Sequence, residues 1–160
     1  MLKNLNKKVG SLKFLLARLS LVALFAIITM LQLLSFPGQF AHMRRVDSID
    51  LVVEIMLTGI VGMWMLTAQA AIVILWKLVA IAEKNQFFSA PSLRLMERLL
   101  TSLKVALALP VLLFLFLAPQ ADDPGFFVLL TAVTLFIFTL TLFASLLRDQ
   151  MQKAVPSGEV

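Results

Sequence analysis

Four apolar runs, each about as long as a bilayer is thick, constrain this chain more than any other feature. They cover roughly residues 14–36, 51–76, 102–118 and 126–147. About 20 apolar residues in a helix span the hydrocarbon core of a membrane. In lipid every backbone polar group must be paired within its own segment or a closed sheet, so runs of this kind form helices. The chain is 61% hydrophobic and 14% charged over 160 residues. A soluble domain carries about 25% charged residues, and one this small cannot hide so much apolar surface in a single core. The expected fold is an all-α integral membrane domain covering residues 1–160. It has four transmembrane helices arranged as two hairpins, joined by a cytoplasmic amphipathic connector helix within residues 77–104.

The polar ends of the runs give the orientation. Of the 14 Lys and Arg residues, five lie in the leader with Arg18, five in the connector with its flanks, and two in the tail. Only Arg44 and Arg45 fall in the outer loops. Cytoplasmic loops carry the excess of Lys and Arg, so both termini and the connector are expected in the cytoplasm and the chain in a bacterial inner membrane as a multi-pass protein. The net charge of +5 suits an anionic leaflet and does not imply direct nucleic-acid binding. The apolar run after the basic leader is too long for a signal-peptide core, and the first helix is expected to be retained.

Taken in order, the first helix starts near Phe14, with Arg18 a turn inside and able to snorkel to the headgroups. Pro37 and Gly38 are expected to stop it. Gln39 to Asp50 then reads as a solvated outer loop holding His42, Arg44, Arg45 and Asp47. On the second helix Thr58, Gly62, Met65, Gln69 and Trp76 share one stripe, which is turned inward because Gln69 needs a hydrogen-bond partner. Ser89 is placed to cap the next helix, with Pro91 in its first turn. Leu93, Met96, Leu99, Leu100 and Leu103 recur at helical spacing with Arg94, Glu97, Arg98, Thr101 and Lys104 between them. This pattern suits a helix lying on the membrane surface. Pro110 is expected to kink the third helix. Pro119 to Gly125 reads as an outer turn in which Asp122 and Asp123 cap and solubilise. On the fourth helix Thr131, Thr134, Thr141 and Ser145 form a stripe expected to face the stripe of helix two or the helix-three kink. The tail is expected to fray after Pro156.

No residue supply supports an enzyme. There is no cysteine and a single histidine, His42, in an outer loop. Haem ligation, a helical zinc site and a general-base centre at membrane depth all lack their groups. No catalytic, cofactor or metal residues are therefore assigned, and no cofactor is expected. Two candidate sites remain. One is a partner-binding surface on the connector, Phe87, Phe88, Ser89, Arg94 and Arg98. The other is an intramembrane polar stripe, Thr58, Gly62, Gln69, Thr131, Thr134 and Thr141, which would line a solute path if the chain were a transporter or channel component working as an oligomer. A role as a purely structural subunit is a third reading. Gly59 and Gly62 leave room for self-association.

The connector carries a resemblance. Ile81-Ala82-Glu83-Lys84-Asn85-Gln86-Phe87-Phe88-Ser89, followed by Leu93-Arg94 and Met96, resembles the segment after helix two in the bacterial four-helix membrane proteins catalogued as domain of unknown function 2975. Asn85-Gln86 stands where a glycine is common before the Phe-Ser step, and the tail lacks the acidic ending of many members. Such proteins are often encoded beside a small helix-turn-helix regulator. The resemblance thus implies a regulatory partnership and names no binding residue.

Overall fold

The computed structural model describes residues 2–46, 50–117 and 124–154, with side chains for 10–46, 50–115 and 125–154. The described residues are helical almost throughout. Helix α1 spans Leu2–Met30, a π-helical segment Leu31–Ser35 follows, and α2 spans Phe36–Val46. Then come α3 (Leu51–Glu83), α4 (Ala90–Leu117) and α5 (Pro124–Ala154). Among the described residues four stretches are long and apolar enough to cross a membrane: Gly10–Val46, Leu51–Glu83, Ala90–Leu115 and Gly125–Ala154.

The first span does not end at Pro37 and Gly38. The Phe36 N–H donates to the Leu31 carbonyl, a bond one residue wider than an α-turn. That local widening leaves Pro37 in the first turn of a new helix, where its missing donor costs little. Gly38 keeps a helical backbone, since among the described residues no glycine has a positive φ. Much of the expected outer loop, Gln39 to Val46, is therefore helix. Asp47 lies outside the described residues, as do Pro119 to Asp123 and Pro156.

The spans stand in a row. Among the described residues α1 and α2 pack on α3, α3 shares its largest interface with α4, and α5 packs on α4. Each span thus packs on its neighbour in sequence, and the helices flanking the polar turn, α3 and α4, share the largest interface instead of being held apart by a connector. Two clusters hold the row. At the end bearing the α3–α4 turn, hereafter the connector end, Leu78, Leu93, Met96, Leu99 and Met151 bury each other. At the opposite end Leu57, Val61, Leu113 and Leu130 do so, with Phe36, Phe40 and Phe126 packed alongside.

The connector is not a separate helix on a membrane surface. Its apolar face, Leu93, Met96, Leu99 and Leu100, is buried in protein, and its helix runs on through Pro110 to Leu117. No helix breaker separates the amphipathic stretch from the apolar one. An apolar face at this spacing is satisfied as well by neighbouring helices as by lipid.

Candidate functional site

The connector turn is a defined structure. Helix α3 closes with Asn85 at φ 58°. The Asn85 N–H donates to the Ala82 carbonyl at 3.0 Å, and the Gln86 N–H reaches back to Ile81 at 3.3 Å. This pair of bonds with a left-handed residue between them is the Schellman cap, normally made by glycine. Asparagine tolerates that conformation better than any other residue with a side chain, which accounts for Asn85 at this step. Helix α4 then starts with the Leu93 N–H bonded to the Ser89 carbonyl at 3.0 Å, placing Ser89 at the N-cap.

Between the two caps, Phe87 and Phe88 meet edge to face with centroids 5.5 Å apart. Phe87 packs against the connector-end cluster, whereas Phe88 is 57% exposed. Arg94 and Arg98 are exposed one turn apart on α4. None of the ion pairs among the described residues involves them; the three pairs are Arg18–Glu83, Arg44–Glu54 and Arg148–Asp149. The five residues expected to bind a partner thus lie on consecutive turns, but at different depths. Phe88, Ser89 and Arg94 sit at the rim, and Arg98 sits a turn deeper along α4. Ser92, between them, is fully buried with its hydroxyl unpartnered.

The polar stripe is divided. On α3, Gln69 finds its partner: its amide donates to the Thr29 hydroxyl of α1 at 3.0 Å. The Gln32 amide of the π segment approaches the Gly62 carbonyl at 3.4 Å. This part of the stripe faces α1, as expected from the need to satisfy Gln69. A Cβ built on Gly62 would meet nothing within 4 Å, so close approach of helices does not explain the glycine. Thr58 bonds back to the Glu54 carbonyl at 2.8 Å. On α5, Thr134 and Thr141 likewise bond to Leu130 and Ile137 at 2.7 and 2.8 Å. Thr131 and Thr134 line an open groove of about 460 Å³ with Leu107, Pro110, Val111 and Phe138. They face the helix-three proline and not the α3 stripe, because α4 lies between.

Sequence reasoning missed two tertiary pairings. Arg18 does not rely on headgroups alone. Its guanidinium meets Glu83 at 2.5 Å and lies 5.8 Å from the Trp76 ring. Arg44 of α2 meets Glu54, in the first turn of α3, at 2.5 Å. Contact is close, but the Arg44 Nε–H is not aimed along a hydrogen bond, since Glu54 Oε2 remains without one. The first pair is separated by 65 residues and the second bridges two different helices, α2 and α3, so neither leaves a periodic trace in the sequence. His42 is exposed on α2 and joins no polar cluster; among the described residues no group of three His, Cys, Asp or Glu comes together.

No curated protein and no solved structure matches the chain. The model of one family, described as "Protein of unknown function (DUF2975)", matches residues 9–156. That span takes in all four membrane-length helices and the capped turn between α3 and α4, and the chain belongs to this DUF2975 family.

Proposed function

We propose that the chain is a non-enzymatic protein of the bacterial inner membrane. It acts through a cytoplasmic protein partner in sensing or regulation, with both termini and the connector turn in the cytoplasm. The observation that carries this reading is the exposed Phe88, held between two helix caps and flanked by the exposed cations Lys84 and Arg94. A large exposed aromatic on a capped turn, with exposed cations close to it in sequence, has the composition of a docking patch. The concentration of Lys and Arg in the leader, the connector and the tail, with only Arg44 and Arg45 elsewhere, supports the orientation.

The solute-path reading has less to rest on within one chain. The Gln69 amide is engaged by Thr29, and α4 separates the two halves of the stripe. A path made by several copies keeps only the Thr131 and Thr134 groove.

The test is a comparison of the intact chain with Phe88→Ala/Arg94→Glu, both extracted from native membranes in mild detergent. The expected result is loss of a co-purifying soluble protein, with the same elution volume for the membrane protein itself. Equal recovery of all soluble companions from the two forms would refute the proposal.

A further inference from the structure

Depth along α4 exposes a second feature, which shares only Arg94 with the partner reading. The Ser102 hydroxyl donates to the Thr67 carbonyl at 2.9 Å, so these two residues lie at the same level. Thr67 is about 20 Å along α3 from Glu54 and about 15 Å from Lys77, at 1.5 Å per residue. These charges bound the apolar part of α3, whose length of roughly 35 Å matches a bilayer core with its edges. Lys104 lies beyond Ser102, farther from the connector end. It therefore sits about 18 Å below the level of Lys77, near the middle of the apolar zone.

Arg94, Glu97, Arg98, Thr101 and Lys104 are all exposed on one face of α4. None of the three cations has an ion-pair partner among the described residues. Below Lys104 the same face is apolar and exposed through Val105, Val111, Leu112 and Leu115, about 16 Å to the last described side chain. The exposed apolar face of α5 runs from Val128 to Leu147, about 30 Å. Among the described side chains, the apolar face that α4 presents to lipid is thus about half as long as that of α5.

An extended lysine side chain covers less than half of the distance from Lys104 to the Lys77 level, so snorkelling does not close the gap. A shorter apolar face is met by thinning of the bilayer. We propose that the α4 face from Arg94 to Lys104 is a binding site for anionic phospholipid, with headgroups of the connector-side leaflet drawn inward so that their phosphates meet Arg98 and Lys104. Charge selects this occupant. The face carries three cations and one carboxylate, Glu97, so a second copy seated against it would leave two uncompensated cations per chain in a dry seam. Phosphate oxygens complement the excess and pair with arginine in a planar fork.

The test uses the chain in vesicles of phosphatidylcholine with or without about one-third phosphatidylglycerol. Because the chain has no cysteine, Thr101→Cys and Phe143→Cys each carry a single spin label. Phe143 is an exposed α5 residue near the same depth. The label at 101 should be relaxed by a water-soluble paramagnetic chelate, and the label at 143 by oxygen alone. Native mass spectrometry should show several-fold retention of phosphatidylglycerol over phosphatidylcholine. Arg98→Gln/Lys104→Gln should abolish that preference, whereas Arg98→Lys/Lys104→Arg and Arg44→Gln should keep it. Identical relaxation at 101 and 143 would overturn the proposal, as would a preference unchanged in the double Gln variant. Dipolar coupling between labels at 101 would also overturn it, in favour of a second copy. Loss of the soluble companion in Phe88→Ala alone tests the other patch separately, since that variant leaves Arg94, Arg98 and Lys104 in place.

Discussion

The attachment of α1 to the rest of the row yields the sharpest prediction. No residue in the most apolar window of the first span is buried, so packing does little to hold it, and its polar contacts with α3 should matter in proportion. A double-mutant cycle on Thr29 and Gln69 tests this. A hydrogen bond between membrane helices contributes on average about 0.6 and at most about 1.7 kcal/mol. Both residues are half-buried, which places this pair near 1 kcal/mol, or about fivefold in the equilibrium constant. The two single changes should differ. In Gln69→Leu the Thr29 hydroxyl still donates to the Phe25 carbonyl at 2.8 Å and is not stranded. In Thr29→Val the Gln69 amide loses its acceptor, and an unmet polar group costs about 1–3 kcal/mol. Thr29→Val should therefore be the more damaging, and the double variant should resemble Gln69→Leu. Denaturant unfolding in micelles gives the free energies, and a spin-label pair at Leu19→Cys and Val73→Cys reports whether α1 has loosened. A coupling energy of zero, or Gln69→Leu costing more than Thr29→Val, would refute the reasoning.

Met151→Ala should cost about 2–4 kcal/mol in the same unfolding assay, because a fully buried side chain joining α3, α4 and α5 leaves a cavity when truncated. Asn85→Gly should be neutral or stabilising and Asn85→Val should cost about 1–2 kcal/mol, with the difference read as a shift in melting temperature, since only the left-handed backbone at this position distinguishes them.

The four spans were legible because an apolar run of bilayer length has few other fates. The inward turn of Gln69 was legible for a similar reason, since an amide in lipid must find a partner, and Thr29 supplies it. The capped turn could be read in part from Ser89 and Pro91. What failed had a common cause. An apolar stripe such as Leu93, Met96 and Leu99 says that a face must be covered, but not whether lipid or protein covers it. The threonine stripe of α5 was read in part, since Thr131 and Thr134 face the helix-three proline, one of its two expected neighbours, while Thr134 and Thr141 find their acceptors in their own helix. Pro37 looked like a stop because proline removes a donor from a regular α-turn, and the ladder here is no longer regular. The pairs Arg18–Glu83 and Arg44–Glu54 depend on which helices are adjacent. Without the order of the row, each of these charges read as belonging to the bilayer edge.

The wide turn at Leu31–Ser35 also sets the direction in which everything beyond it points. Each residue of an α-helix advances the azimuth by about 100°. Removing one residue from this turn would swing α2 through more than a quarter revolution about its own axis. Arg44 would leave Glu54 without its counter-charge, and the stacked Phe36 and Phe40 rings would point away from the α3 residues they now cover. A single surplus residue, spent where the ladder is loosest, works as the phase adjustment that lets one continuous rod serve two neighbouring surfaces.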